Sequence, residues 1–177
     1  MRTASIGFRA KTGKAIAVAL TAGPEFVQRW MIDLVDPDVP ATSQPHHEVM
    51  ELPWPDAQSA VVPIERRIDQ VATDRVRSLI EELRSKDFKV SAIGVVGSPD
   101  RDLARIGNPH IRAHAAEGIL FRRAIEIAAK QLRLQCRSFS DRGFEEAKVA
   151  KALGRAAGRP WRADERAAAT AAWLMLS

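Results

Sequence analysis

The run Ala15-Ile16-Ala17-Val18-Ala19-Leu20 contains no polar residue. Successive side chains of a strand point to opposite faces, so a strand this apolar needs cover on both sides. Its shortness and the turn residues before it argue for a strand rather than a helix. Any fold that holds it must therefore build a sheet around it and lay other elements on both faces. Ser5-Ile6-Gly7-Phe8-Arg9 lies just upstream, across the compact turn Lys11-Thr12-Gly13-Lys14. The two runs are close enough to pair as an antiparallel hairpin. Phe26 to Val35 can supply a third strand, with Val27, Trp30 and Ile32 or Leu34 as buried candidates.

Helical spacing supplies the cover. Ile64, Ile68, Val71, Ala72, Val76, Leu79, Ile80 and Leu83 recur at three and four residues, which predicts an amphipathic helix over about 62–86, with Pro63 as an early helical residue. Lys89 to Val96 reads as a strand stopped by Gly97-Ser98-Pro99. Pro109 opens a second long helix to about Leu132, and Leu134 to Phe139 forms another strand. Helices are expected over roughly Gly143–Leu153 and Asp164–Leu176, the last rich in alanine and so able to approach a neighbour closely. The order β-β-β-α-β-α-β-α-α implies an α/β fold: a mixed five-stranded sheet, antiparallel in its first three strands and covered by helices. At 177 residues one domain is expected. Between Asp36 and Ala60 lie five prolines, so this stretch is expected to be a loop, either an ordered excursion or a lid. His46, His47 and Glu48 within it read as solvated loop residues, the alternative being an approach to the sheet edge.

Composition excludes several classes. With 46% hydrophobic and 28% charged residues, wholesale disorder is excluded. The single cysteine, Cys136, rules out an intramolecular disulfide framework and a cysteine-pair zinc site. Cys136 sits at an apolar strand position and reads as a small core residue. The ten residues from Ala167 to Leu176 are too few for a membrane span, which needs about 20. Met1-Arg2 leads into a strand rather than a signal core, so a cytoplasmic location is expected. A homo-oligomer stays open. Charge is uneven: residues 1–100 carry 12 basic and 14 acidic groups, residues 101–177 carry 15 and 8. Such asymmetry suits either a phosphate-rich partner or merely solvated helix faces.

The helix from Pro109 carries the most informative pattern. At ~100° per residue, His110, His114 and Glu117 fall on the stripe that Phe121, Ile125 and Leu132 bury, while Arg122, Arg123, Glu126, Lys130 and Arg133 take the opposite arc. A carboxylate on a buried line is costly unless paired. These groups either satisfy backbone or an arginine near the helix start, or they form a site. His110 and His114 have the four-residue spacing of two metal ligands on one helix face. Ile111 stands where a zinc-protease helix carries its glutamate, which disfavours that class. Glu117 lies roughly 10 Å along the axis from His110, so all three cannot readily bind one ion without another element intervening. No metal ligand is assigned from sequence, and proton transfer or anion binding fits as well. Elsewhere, Arg155, Arg159, Arg162 and Arg166 surround Trp161, a basic and aromatic patch that can hold phosphates and stack a base, or in which Trp161 docks the last helix.

Ile6-Gly7-Phe8-Arg9-Ala10-Lys11-Thr12-Gly13-Lys14-Ala15-Ile16-Ala17 resembles the opening hairpin of the ribonuclease H-like superfamily, especially its Holliday-junction resolvase branch. Asp164-Glu165-Arg166-Ala167-Ala168-Ala169-Thr170-Ala171 resembles the terminal Asp-x-x-Asp-Ala-Leu-Ala helix of that branch. The resemblance implies a nuclease fold with metal-holding acids. Yet Arg9 aligns with the first-strand aspartate, the second acid has no counterpart in Val95-Val96-Gly97-Ser98 with Asp100 nearest, and Ala167 replaces the last acid beside Asp164. Two-metal hydrolysis needs several carboxylates around ions about 3.5–4 Å apart. The topology brings Arg9 toward Glu117, and an Arg9–Glu117 ion pair is expected where the superfamily holds metal. Thr12-Gly13-Lys14 reads as an ordinary hairpin turn or, as in kinase-like relatives, a phosphate cradle. The first expectation is a non-catalytic binding or assembly protein, its partner a nucleic acid or phosphorylated ligand held by the C-terminal arginines. The alternative is a hydrolase or nuclease working through His110, His114 and Glu117. No cofactor is assigned.

Overall fold

The structure is a computed structural model that describes residues 1–176. Five strands, β1 (Arg2–Lys11), β2 (Lys14–Thr21), β3 (Glu25–Asp33), β4 (Phe88–Gly97) and β5 (Gln135–Ser140), form one sheet in the order β3-β2-β1-β4-β5. β1, β2 and β3 are antiparallel neighbours, whereas β4 and β5 run parallel to β1 through helical crossovers. The helices are α1 (Pro45–Glu48), α2 (Trp54–Ser85), α3 (Pro109–Gln131), α4 (Lys148–Ala152), α5 (Gly154–Ala157) and α6 (Ala163–Leu174). The architecture is the expected mixed five-stranded sheet with its first three strands antiparallel.

Both faces of β2 are covered, as its unbroken apolar run requires. On one face Ile6, Phe8, Ala17 and Ala19 join Ile68, Val76 and Leu83 of α2 and Phe121 and Ile125 of α3 in the main core. On the other, Val18 and Leu20 meet Ala168, Ala169 and Ala172 of α6 with Ala150 of α4. The alanines of α6 have a counterpart in the sheet. Gly7 of β1 stands beside Gly94 of β4. A Cβ at Gly7 would lie 1.8 Å from the Ala168 carbonyl oxygen, and one at Gly94 2.6 Å from that of Ala171. The backbone of α6 thus rests directly on the strands, and Ser5 Oγ donates to the Ala172 carbonyl at 2.6 Å.

Four expectations need correction. First, α2 begins at Trp54, so Pro63 lies inside the helix rather than near its start. Pro63 and Ser59 are exposed, so the carbonyl that proline leaves unpaired can bond to water, while buried Ala57 and Val61 before it and Ile68 after it hold the stripe together. Second, residues 36–60 form the expected ordered excursion but are not loop throughout, since α1 and the first turns of α2 lie within them. Thr42 Oγ1 accepts from the Asp36 N–H at 2.9 Å, and Arg67 Nε donates to Asp36 at 2.5 Å. Third, Gly143 to Leu153 is helical only over α4. Glu146 instead pairs with Arg166 at 2.6 Å, and the Ala147 N–H donates to Thr170 Oγ1 at 3.0 Å. Fourth, Arg122 is buried rather than solvated. It lies over Gly97 and pairs with Asp100 and Glu126, each at 2.5 Å.

Candidate metal centre

Asn108 caps α3 by accepting the Ile111 N–H at 3.0 Å, and Pro109 sets its first turn. That start aligns His110, His114 and Glu117 on successive turns of one face. Glu117 is fully buried, as the stripe requires, but His110 and His114 are exposed and do not continue it, because the four-residue α1 is too short to cover the first turns of that face. The expected Arg9–Glu117 pair is not formed. The partner of Glu117 is His47, whose Nδ1 lies 2.8 Å from Oε1 and whose backbone N–H donates to the same oxygen at 3.2 Å. The expectation that His46 and His47 are solvated is therefore wrong as well. His46 is 6% exposed and bonds Glu65 at 3.2 Å through Nε2. The side chain of His47 is 13% exposed.

His47 meets both α3 histidines. Its ring centroid lies 5.0 Å from that of His110 and 4.5 Å from that of His114. The two α3 rings are 4.5 Å apart, with their Nε2 atoms at 3.1 Å. One ligand atom from each histidine falls within 4.8 Å of the others. Tetrahedral zinc at ~2.0–2.1 Å per nitrogen needs ligand nitrogens roughly 3.3 Å apart. The two α3 Nε2 atoms, 3.1 Å apart, are already near that spacing, and the His47 ligand atom lies within 4.8 Å of them.

The hydrogen bonding fits a metal ligand set. When Nδ1–H of His47 donates to Glu117, the lone pair of the neutral ring is on Nε2. That nitrogen is buried and has no hydrogen-bond partner. A carboxylate behind a histidine is the common outer support of a metal-bound imidazole. Glu117 Oε2 is likewise buried and unpartnered. The positive end of the α3 dipole opposes a cation here, and the Glu117 charge offsets it. Sequence reasoning found His110, His114 and Glu117 but not His47, the intervening element that their spacing demanded. The available signal was the run His46-His47-Glu48 in a loop tethered on both sides.

The other sequence-selected residues lie apart from this centre. Arg9 pairs with Asp141 at 3.3 Å and Asp164 at 3.5 Å, and Lys11 reaches Asp164 at 2.9 Å. Trp161 docks: its Nε1 donates to the Ala150 carbonyl at 2.8 Å, and its ring meets Phe26 edge-on at 5.9 Å. Arg166 is held by Glu146 and donates to the Trp161 carbonyl at 3.1 Å. Arg155, Arg159 and Arg162 are exposed around them. The Thr12-Gly13 turn closes β1 onto β2 with Gly13 at φ 75°, and its carbonyl accepts the Leu34 N–H at 2.8 Å. Burial pushes the Cys136 thiol up to about 11, in keeping with a core residue rather than a nucleophile.

These elements define the ribonuclease H-like fold in its Holliday-junction resolvase-like form. The structure of T. thermophilus RuvC in complex with a Holliday junction substrate matches with a TM-score of 0.55 at 10% identity, covering 96% of this chain and 90% of that chain. A second structure of Thermus thermophilus RuvC matches over the same shares at 12% identity and a TM-score of 0.47. No protein-family model matches the sequence, and neither does any curated protein. The resemblance implies carboxylate-held ions near the end of β1. The residues there do not fit: Arg9 already neutralises Asp141 and Asp164, and Asp100 is taken by Arg122. No membrane-crossing helix, long and apolar enough, occurs among the described residues.

Proposed function

We propose that this protein is a metal-dependent hydrolase of phosphorylated or nucleic-acid substrates, with His47, His110 and His114 holding the ion. The supporting observation is the His47 ring, with Nε2 buried and unpartnered and Nδ1 on Glu117, set 4.5–5.0 Å from two exposed imidazoles. Polar atoms are rarely left so without a reason, and an ion is one such reason. Three imidazoles would leave a fourth position open, and an ion held that way would acidify water and polarise a phosphoryl oxygen. Glu117 accepts from Nδ1–H of His47 and so orients the ring. His110 and His114 are exposed, so a large substrate can reach the open side. Arg155, Arg159 and Arg162 supply surface cations suited to phosphates. The reading as a purely binding protein rested on the missing acids. A histidine centre removes that ground.

The test uses end-labelled single-stranded, duplex and branched DNA with Zn²⁺, Mn²⁺ or Mg²⁺. Cleavage is expected with Zn²⁺ or Mn²⁺, roughly 100-fold lower in the His110→Ala/His114→Ala variant and retained in Asp164→Asn. Cleavage that follows Asp164 instead, or no turnover on any substrate, overturns the proposal.

A further inference from the structure

Residues of α2 and α3, with His46 and Leu103, line a half-open cavity of about 540 Å³. That volume lies within the usual range of small-molecule sites. It shares no residue with the metal centre, yet His46 and Ala116 in its wall precede His47 and Glu117 in sequence. The two sites therefore back onto the same turns of α1 and α3.

The wall has three kinds of surface. Trp54, Val61, Ile119 and Leu120 give an apolar slot that suits a flat ring. Acceptors come from α1 and α2. Asp69 Oδ1 is buried without a hydrogen-bond partner. The 6%-exposed His46 gives Nε2 to Glu65 and leaves Nδ1 buried and unpartnered. Cations come from α3, as Arg123 and Lys130, while Glu126 between them is paired with Arg122. A donor from a ligand would relieve the desolvation of the unpaired, buried Asp69 oxygen. Burial and the neighbouring Glu65 raise the Asp69 carboxyl to about 6, and Arg123 opposes them. A ligand that meets all three surfaces is flat, brings N–H donors along one edge and carries an anion. Among nucleobases, guanine places two adjacent donors, N1–H and the N2 amine, opposite a carboxylate. Uracil flanks its single N–H with two acceptors that a carboxylate repels.

We infer that this cavity binds a guanine nucleotide base, with its N–H edge on Asp69 and its phosphate toward Arg123 and Lys130. Base reading by edge hydrogen bonds within an apolar slot is how proteins recognise a base removed from a stack. The base can come from a free nucleotide or swing out of a single strand. The inference goes beyond the hydrolase reading and uses none of its ligands.

Calorimetric titration in the presence of a chelator keeps the two readings separate, because the metal centre is then empty by design. The probes are GMP, IMP, UMP, and a thymidine tract with and without one guanine. Saturable GMP binding is expected, roughly tenfold weaker for IMP and weaker again for UMP. Asp69→Asn should weaken GMP by roughly tenfold or more, since an amide replaces an acceptor with a donor. Because Asp69→Asn removes an unpaired charge, the variant should fold, and a thermal melt checks this. Asp69-dependent binding of GMP assigns a free nucleotide. The same dependence seen only with the guanine-containing strand assigns a base swung out of that strand. No binding of either, equal affinity for UMP, or an unchanged Asp69→Asn variant overturns the inference.

Discussion

Arg9 near the end of β1 and Glu117 on α3 are both charged groups brought in from the sequence pattern, yet their surroundings differ in kind. Around Arg9, two carboxylates and Lys11 pair internally, with side chains between 20% and 42% exposed. Around Glu117 the carboxylate is fully buried, its one partner is a histidine, and both the second oxygen and the far nitrogen of that histidine lack partners. The first region is electrostatically closed. The second is open toward a cation. The position where a relative of this fold would hold metal therefore says little here, and the unsatisfied atoms elsewhere say more.

Substitutions can break that contrast. The largest effect is expected for His47→Ala, which strands the buried Glu117 charge. Loss of about 3–5 kcal/mol is expected, a drop in Tm on the order of 10 °C by calorimetry. If His47→Ala melts like the native chain, the pair is not structural. Glu117→Gln keeps shape but removes the charge behind His47. Zinc affinity should fall roughly 10–100-fold, measured by competition with a chromophoric chelator. Unchanged affinity would mean the carboxylate does not tune the site. Arg9→Ala should cost no more than about 1 kcal/mol, because its pairs are partly solvated and Lys11 still reaches Asp164. A loss as large as that of His47→Ala would erase the contrast between the two regions.

The smallest change is a gain, and it depends on pH. The Asp69 carboxyl is raised to about 6 by burial, with Glu65 adding to the shift. Its folded pKa exceeds its unfolded one, so the ionised form opposes folding. The penalty is complete above pH 6 and fades as pH falls from 6 toward 4. Asp69 is only partly buried as a residue, so solvent screening holds the cost to about 1 kcal/mol. Asp69→Asn should raise Tm at pH 7.5 and lose that advantage near pH 4. An equal gain at both values would assign the effect to something other than the charge.

Much of the fold is legible in the sequence. The apolar run of β2 required cover on both faces, and α2, α3 and α6 provide it. The stripe on α3 required Glu117 to be buried, and it is. The close approach of α6 was visible in its alanines, but the Gly7 and Gly94 floor needed the register of β1 on β4. The third histidine was hidden because α1 has four residues and no periodicity to read. Its order is tertiary: Thr42 and Arg67 hold Asp36, Glu65 holds His46, and Glu117 holds His47. The same reason explains Arg122, whose burial follows from Gly97 and Asp100 rather than from its own helix.

Zinc titration of chelator-stripped protein, followed by elemental analysis, tests the central claim most directly. About one ion per chain is expected for the native protein and for Arg9→Ala, with uptake weakened roughly 100-fold in His110→Ala/His114→Ala. A native chain that takes up no zinc, or a double variant that takes up as much as the native chain, would contradict a histidine-held centre.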